Sequence, residues 1–285
     1  MQPGDTVEVT LLFERVEILR GPRNTLFGRN TTGGAINYAT RRPKARDGFN
    51  GYALDNVGRF DRVDVEGAIG IPLGDALAVR VAGQMQTRDG VFKNIATGGK
   101  IGKTRRYSGR FGIAWDPDAD TNVLLSGHVG YNRGKDGARK ALGILAADGV
   151  SRCPLLDAGD LAFRSANTCL APSKTGLFNP SSSEWRSAYQ AADNTADVDF
   201  EGGSLRFSHD FGGVSLTNIA ALDRTKIIFS SDAGGLPYTQ FQFFQNGKYD
   251  VYSNETRLAS TGGGPFEWIV GRYWSYEATT SPRSS

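Results

Sequence analysis

The sequence predicts an all-β protein whose antiparallel strands run up and down in chain order, as in part of a transmembrane β-barrel. Three observations support this fold class. Many stretches alternate apolar and polar side chains with the period of two that a strand requires. Glycine, proline and aspartate separate these stretches and mark turns. The connections between the stretches alternate between short and long along most of the chain.

The composition excludes a membrane protein built from helices. The 285 residues are 39% hydrophobic with a mean hydropathy of −0.36. No stretch approaches the roughly eighteen consecutive apolar residues that a spanning helix requires. Barrel strands alternate apolar and polar residues, so their mean hydropathy resembles that of a soluble protein. The 37 glycines and the 11% aromatic content are typical of strands and turns.

The charged and metal-binding residue types favour neither nucleic acid nor chemistry. The 33 basic and 30 acidic side chains give a net charge of +3, and without a basic stripe no nucleic-acid partner is expected. The two histidines, His128 and His209, and the two cysteines form no local metal-ligand cluster. Each histidine is predicted to be an ordinary strand side chain. No paired carboxylates or nucleophile constellation stands out, so we expect neither an enzyme nor a cofactor.

Alternation predicts nine strands after residue 43, and the connections between them indicate the architecture. The predicted strands are 49–57, 62–71, 76–87, 106–115, 121–131, 200–211, 214–230, 249–260 and 266–276. Connections after the second, fourth, sixth and eighth strands are short. Those after the third, fifth and seventh are long, at 90–105, 133–198 and 231–248, whereas the first connection, near 58–61, is unexpectedly tight. This rhythm is typical of an outer-membrane barrel, whereas a soluble sandwich or propeller does not separate its loops this way.

The two faces of such strands are assigned by the solvent that each meets. Apolar rows face lipid and polar rows face the lumen, because the backbone hydrogen bonds are closed between strands. Side chains predicted to point inward are Glu66, Arg80, Gln84 and Arg110. Aromatic residues predicted near strand ends, where a lipid-interface girdle lies, are Trp115, Tyr131, Trp268, Trp274 and Tyr276. Arg272 alternates onto the lipid face, so either it lies near the interface or a bulge shifts the register.

A glycine-rich segment, 14–43, precedes the nine strands. Val16 and Ile18 indicate a short strand that ends at Gly21, and residues 35–40 indicate a second one. Gly28, Gly33 and Gly34 mark tight turns between them. The segment lacks the Gly-Lys-[Ser/Thr] ending of a P-loop and the Gly-x-Gly-x-x-Gly of a dinucleotide fold. Structural turns are therefore favoured over a phosphate cradle.

This strand, turn and strand pattern resembles the end of the plug domain of TonB-dependent outer-membrane receptors. The positions that match the family pattern are Glu14, Arg15, Glu17, 19–22, 26–28, 33–37 and 42–43. Segments that look like the barrel hairpins of the family are 66–73, 78–82, 88–90, 254–260 and 268–271. The resemblance implies two units, residues 1–44 as the C-terminal remnant of a plug and residues 45–285 as an incomplete barrel of about nine strands.

The resemblance also implies a function. The intact protein is expected in the outer membrane of a Gram-negative bacterium, in contact with its lipid, where it would take up a scarce ligand, most commonly a ferric siderophore. TonB would supply the energy as a partner. A passive porin and a soluble β-rich carbohydrate-binding protein or carbohydrate-active enzyme are the alternatives, although a porin has no plug. The chain has no signal peptide, and the plug motif begins at once, so we expect a piece of a longer receptor.

Family positions supply the candidate site residues. The plug-motif residues are Glu14, Arg20, Gly21, Pro22, Gly28, Gly33, Gly34 and Asn37. Arg20 is similar to a plug arginine that pairs with glutamates of the barrel wall. Glu255 is the candidate partner here, Glu66 could serve instead, and a solvated Arg20 is the plain alternative. Separating a charge pair leaves a costly unpaired charge, which suits a plug that is held and then released.

Both cysteines, Cys153 and Cys169, lie in the longest predicted loop. In the oxidising location that the resemblance implies, two cysteines in one loop usually form a disulfide. Closing a loop of about fifteen residues stabilises a fold by about 3 kcal/mol in the chain-entropy model. A disulfide is therefore expected, with two unpaired thiols as the alternative.

Overall fold

The computed structural model describes most of the chain outside its first residues and its longest connection. The described residues are 13–21, 34–95, 97–135, 137–139, 145–146, 151, 154, 158, 169–170, 187–188, 190–191, 194–232, 239, 242–263 and 266–281. Among these residues, no helix has the length and apolar character needed to cross a membrane.

Sixteen strands and one 3-10 turn, Ala45–Asp47, form the described secondary structure. The first two strands are β1 (Phe13–Arg20) and β2 (Gly34–Thr40). The nine long strands are β3 (Asn50–Gly58), β4 (Arg62–Pro72), β5 (Leu77–Arg88), β8 (Thr104–Trp115), β9 (Thr121–Gly134), β13 (Thr195–Asp210), β14 (Val214–Asp232), β15 (Gln242–Ser260) and β16 (Ile269–Thr280). The short strands between them are β6 (Phe92–Asn94), β7 (Lys100–Ile101), β10 (Leu145–Ala146), β11 (Cys169–Leu170) and β12 (Ser187–Ala188).

The nine long strands form one sheet in chain order, β3-β4-β5-β8-β9-β13-β14-β15-β16, and every neighbouring pair is antiparallel. The predicted all-β, up-and-down architecture is confirmed. Within the described residues, β3 and β16 are the two ends of this sheet and do not pair with each other, so the sheet is not closed.

Strand register places the alternating residues on two distinct faces. We call the face that carries Val81, Phe111 and Leu125 the apolar face, and the face that carries Glu66 and Arg110 the polar face. Directly paired residues share a face, and Val81 pairs with Phe111 while Glu66 pairs with Gln84. All four residues predicted to point inward lie on the polar face: Glu66, Arg80, Gln84 and Arg110.

The apolar face is exposed in the isolated chain. Val81, Phe111 and Leu125 are 50%, 42% and 42% exposed, although their size would bury them in a soluble sheet. The buried apolar residues among those described are mostly small: Ala68, Ala78, Ile101, Ala114 and Ala188. The described residues therefore lack the dry apolar core that a soluble β-rich protein requires.

Each apolar row ends at a charged residue near the end of the strand that leads to a long connection, and we call this boundary between apolar and charged residues the edge. On β9 this edge lies between Tyr131 and Arg133, and on β13 it lies between Gly203 and Glu201. Glu201 nevertheless pairs with Val129, which is still in the apolar row of β9. The edge therefore moves along the strands from one strand to the next, as expected when strands are tilted with respect to a membrane.

Several predicted strand bounds in the second half of the chain were wrong. β13 begins at Thr195 and β15 at Gln242, earlier than the predicted 200 and 249. The seventh connection is therefore 233–241, which is hardly longer than the eighth, 261–268, so the alternation of connection lengths fails there. β16 continues to Thr280, which places Trp274 and Tyr276 inside the strand and not near its end.

The pairing of β15 with β16 bears on Arg272. The register runs without a shift from Lys248 opposite Thr280 to Ala259 opposite Ile269, so no bulge moves Arg272 to the other face. Arg272 lies opposite Thr256 on the apolar face, between Val270 and Trp274. Arg272 therefore shares the face of the apolar rows, and the alternative of a bulge was wrong.

Two of the long connections are tied together by a small sheet, β12-β6-β7, that sequence analysis did not anticipate. β12 pairs with β6 in parallel, which departs from the purely antiparallel expectation. Asn94 donates to the Gln190 carbonyl at 2.8 Å and accepts from the Gln190 N–H at 3.2 Å. Asn194, which is 2% exposed, accepts from the Asp232 N–H at 2.6 Å. Buried side-chain hydrogen bonds therefore fasten these connections to the end of β14.

Candidate functional site: the glycine-rich hairpin and the polar face

The β1–β2 hairpin brings the two halves of the glycine-rich motif together. Glu17 of β1 lies directly opposite Asn37 of β2. The Asn37 amide donates to Glu17 Oε2 at 2.9 Å, and Arg15 Nε donates to Glu17 Oε1 at 2.6 Å. These bonds, the one from Arg15 first, hold the pKa of Glu17 below its ordinary value. Glu17 and Asn37 thus fix the register of the hairpin.

Gly34 is required at the start of β2. Its φ is +135°, and an added Cβ would collide with the carbonyl oxygen of Leu19. Gly21, at the other end, also has a positive φ of +82°, but an added Cβ would meet nothing there. Three further motif residues, Pro22, Gly28 and Gly33, lie outside the described residues.

Glu14 and Arg20 are both exposed on β1, and Arg20 lies opposite Gly34. Glu255, the predicted partner of Arg20, lies on the polar face and forms an ion pair at 2.7 Å with Arg257 Nε. The Arg20–Glu255 pair stays a prediction, and Glu255 already has a cation beside it on its own strand. The predicted Cys153–Cys169 disulfide lies outside the described residues, because Cys153 is not among them.

Glu66, the alternative partner, is 5% exposed in a cluster on the polar face. The Tyr52 hydroxyl donates to Glu66 Oε1 at 2.5 Å. Arg80 lies over the Tyr52 ring, 6.0 Å from its centroid, and donates to Asn50 Oδ1 at 3.3 Å. A buried carboxylate that accepts a phenol hydrogen bond beside a guanidinium is electrostatically supported. The cluster joins β3, β4 and β5 on the wall where the chain from the hairpin arrives.

The segment between the hairpin and β3 is fastened to the same wall. Arg42 forms an ion pair with Asp116 and donates to Asn122 Oδ1 at 2.9 Å. Both partners lie at the short β8–β9 turn. Pro43 packs over Gly112 of β8, where an added Cβ would come within 3.3 Å of the proline ring. Arg42 therefore anchors the hairpin's connecting segment to one end of the sheet.

A second polar contact spans β13, between its neighbours β9 and β14. His128 Nε2 lies 3.2 Å from Asp223 Oδ1. The residue between them is Gly202, where an added Cβ would lie 2.7 Å from His128 Cε1 and would collide with the Asp223 carboxylate. The absence of a side chain at Gly202 thus leaves the space in which His128 and Asp223 come into contact. Arg110 lies directly opposite His128 on the other side.

Sequence reasoning missed three features of the polar face. It identified Arg42 only as a motif match, Tyr52 not at all, and His128 as an ordinary strand side chain. A glycine in mid-strand, Gly202, was a usable signal, because such a glycine often marks a close approach. The Arg42 anchor gave no signal, because Asp116 and Asn122 become its neighbours only through the fold.

The chain has relatives among known proteins in sequence and in structure. No family model matches the chain. It is 31% identical over 122 residues to the metal-pseudopaline receptor CntO of Pseudomonas aeruginosa, a match that covers 42% of this chain and 16% of that protein. It is 32% identical over 116 residues to the pesticin receptor of Yersinia pestis, covering 40% of this chain and 17% of the relative. The chain therefore spans about a sixth of the length of these relatives.

The fold is shared with receptors of known structure. The open form of the ferric-catecholate import receptor Fiu of E. coli K12 superposes with a TM-score of 0.68 at 18% identity, covering 95% of this chain and 40% of Fiu. The nine-stranded sheet therefore has the fold of part of that receptor's barrel. Together with the receptor relatives, this shared fold means that the chain resembles TonB-dependent receptors both in sequence and in structure.

Proposed function

We propose that the chain is the plug end and part of the barrel wall of a receptor that takes up a ferric siderophore or a similar metal complex. The observation that carries this proposal is that one chain contains both a plug-like hairpin and a sheet whose apolar face is exposed. Such a face requires lipid around it, and a hairpin with the plug motif requires a lumen to close. The energy would come from TonB, acting on the plug.

The ligand class rests on the names of the relatives. The metal-pseudopaline receptor and the ferric enterobactin receptor PirA of Pseudomonas aeruginosa are each named for a metal complex. These relatives are receptors and not enzymes, and we propose no catalytic step for this chain. The plug unit would be residues 1–44 and the barrel unit residues 45–285.

In this proposal the polar face is the lumen wall and the hairpin is the mobile part that the wall restrains. Arg42 would keep the connecting segment in place through Asp116 and Asn122, while Arg20 would hold the plug against a wall carboxylate. Force applied by TonB to the plug would then separate Arg20 from its carboxylate partner but leave the contacts of Arg42 intact. A passive porin would not explain the plug-like hairpin, and a soluble protein would not explain the exposed apolar rows.

The test uses the full-length product of the gene that encodes the chain, expressed in a strain that lacks it. Arg20→Ala should impair uptake of the radiolabelled ferric complex while leaving its binding to whole cells nearly unchanged. Arg59→Ala, at the β3–β4 turn, removes the same charge away from the plug and serves as the control. Equal loss of surface binding and uptake in Arg20→Ala would contradict the plug-release role. Uptake in cells without TonB at the wild-type rate would contradict energy coupling altogether.

A further inference from the structure

Charged side chains begin on the apolar face directly beyond the apolar rows of β9, β13, β14 and β15. They are Arg133, Asp197, Asp199, Glu201, Arg224, Lys226, Lys248 and Asp250. Two of the four basic ones, both arginines, have acidic partners. Arg133 forms an ion pair with Asp199. Arg224 lies 3.1 Å from Glu201 and 2.7 Å from Asp250.

Lys226 and Lys248 are the exception. They are directly opposite each other on β14 and β15, an arrangement in which like charges destabilise a sheet. The acidic residue opposite Lys226 on β13 is Asp199, which already forms an ion pair with Arg133. Within the described residues, neither ammonium group has an ion-pair partner. An anion bound between them would remove this repulsion.

The position of the lysine pair indicates which anion is available. Lys226 pairs with Asp199, and Asp199 pairs with Tyr131. The lysines therefore lie level with Tyr131, the residue that ends the apolar row of β9, in a line that runs across the neighbouring strands. Tyrosine at that place is typical of the membrane interface, where lipid headgroups lie. Both lysines are on the face that meets lipid, at the end of the sheet that carries the long connections. The anion within their reach is therefore a lipid phosphate.

We propose that Lys226 and Lys248 together bind the phosphate of a phosphorylated lipid in the outer leaflet of the membrane. Side chains directly opposite on antiparallel strands have Cβ atoms about 4.5–5.5 Å apart, so two long lysines can reach one phosphate with charge-assisted hydrogen bonds. The neighbouring carboxylates of Glu201 and Asp250 are both engaged by Arg224, so they have a cation other than the two lysines. This inference rests on the proposed membrane-spanning barrel.

The experiment uses the full-length gene product, extracted from outer membranes in a mild detergent, with bound phosphorylated lipid counted by native mass spectrometry. Replacing both lysines (Lys226→Gln with Lys248→Gln) should lower the retained lipid at least about tenfold, since each lysine near a membrane surface contributes to anion attraction. The charge-preserving pair Lys226→Arg with Lys248→Arg should retain it. The control pair Lys93→Gln with Lys103→Gln removes the same charge from the β5–β8 connection and should also retain it.

A second arm identifies the source of the phosphate. The lipid-free wild-type protein is reconstituted with a phosphorylated glycolipid, with its dephosphorylated form, or with neutral lipid and inorganic phosphate. Thermal stabilisation that requires the phosphorylated lipid and both lysines supports the proposal. Equal stabilisation by inorganic phosphate, or equal lipid retention by wild type and the glutamine pair, overturns it. Absence of the full-length product from the outer-membrane fraction would instead overturn the proposed function.

Discussion

The first five strands of the main sheet and the next three differ in length and in how cleanly their faces separate. β3, β4, β5, β8 and β9 contain 9, 11, 12, 12 and 14 residues, whereas β13, β14 and β15 contain 16, 19 and 19. A tilted strand crosses a bilayer in about 9–11 residues. The short strands therefore end close to the membrane, and the long strands continue beyond it.

The separation of faces follows this difference in length. On β8, the apolar row runs from Trp115 through Phe111 to Tyr107 before Arg105 ends it. On β14, the same face carries Leu222 and then changes to Arg224 and Lys226. A face stays apolar only as far as hydrocarbon covers it, because beyond the hydrocarbon both faces meet headgroups or water. The alternation of apolar and polar side chains therefore marks the part of a strand that lies in the membrane, and not the full length of the strand.

The largest expected effect comes from placing a charge at two depths of the same face. Leu125→Arg, within the apolar row of β9, should destabilise the folded barrel by about 2–4 kcal/mol, whereas Ile228→Arg, beyond the row of β14, should cost about 0–1 kcal/mol. Urea unfolding of the full-length product in lipid vesicles measures both. Equal costs at the two positions would mean that the apolar face does not end where the charges begin.

A glycine exchange tests the contact that links the two groups of strands. Gly202→Ala would force apart His128 and Asp223 and should destabilise the barrel by about 1–3 kcal/mol, as overpacking does. Gly109→Ala is the matched control, since its added Cβ would have no neighbour closer than 3.9 Å. The same unfolding assay applies. A Gly202→Ala protein as stable as the control would show that the contact across β13 does not constrain the sheet.

Sequence patterns predicted the short strands and β14 well but missed the starts of β13 and β15, for the same reason. The predicted 76–87 and 121–131 correspond to Leu77–Arg88 and Thr121–Gly134, because alternation is strong in the part that meets lipid. The starts of β13 and β15 were missed because Asp197, Asp199 and Lys248 interrupt the apolar row beyond the hydrocarbon. Strands as short as β6 and β12 have too few residues for a period to be detected.

The candidate site divides in a similar way. The hairpin followed from local sequence, since Glu17, Gly34 and Asn37 belong to one motif and lie on two strands that pair with each other. The Tyr52–Glu66 and Arg42–Asp116 contacts join residues that are distant in sequence or that carry no motif. Only the register and the path of the chain bring them together, so a single sequence could not reveal them.

Arg272 gives a smaller effect with the opposite sign. It lies on the apolar face between Val270 and Trp274, so Arg272→Leu should stabilise the full-length barrel by about 1–2 kcal/mol by removing a charge from lipid. Arg206→Leu on the polar face of β13 should give no such gain. A loss of stability in Arg272→Leu would indicate that another group in the intact protein binds this guanidinium.

The smallest effect concerns acid and the short β8–β9 turn, which lies outside the membrane. Asp118 accepts the Thr121 N–H at 2.6 Å and the Asp120 N–H at 2.9 Å, and its bonds to Thr121 lower its pKa below the ordinary 3.8. A lowered folded-state pKa means that this stabilisation is present above the ordinary value and is lost as pH falls through the folded value. Hydrogen exchange of the Thr121 amide should therefore lose protection in that range, and Asp118→Ala should remove the dependence. Identical acid profiles for the two proteins would contradict the role of the carboxylate.

The most direct test of the lipid-facing assignment measures what each face touches. Single cysteines at Leu125, Ser126, Leu222 and Lys226 of the full-length product, with Cys153 and Cys169 replaced by serine, would be spin-labelled in lipid vesicles. Oxygen should relax the labels at 125 and 222, which face lipid. A water-soluble nickel complex should relax those at 126 and 226, in the lumen and at the level of the lipid headgroups respectively. Preferential relaxation by nickel at 125 and 222, or by oxygen at 126, would contradict the account.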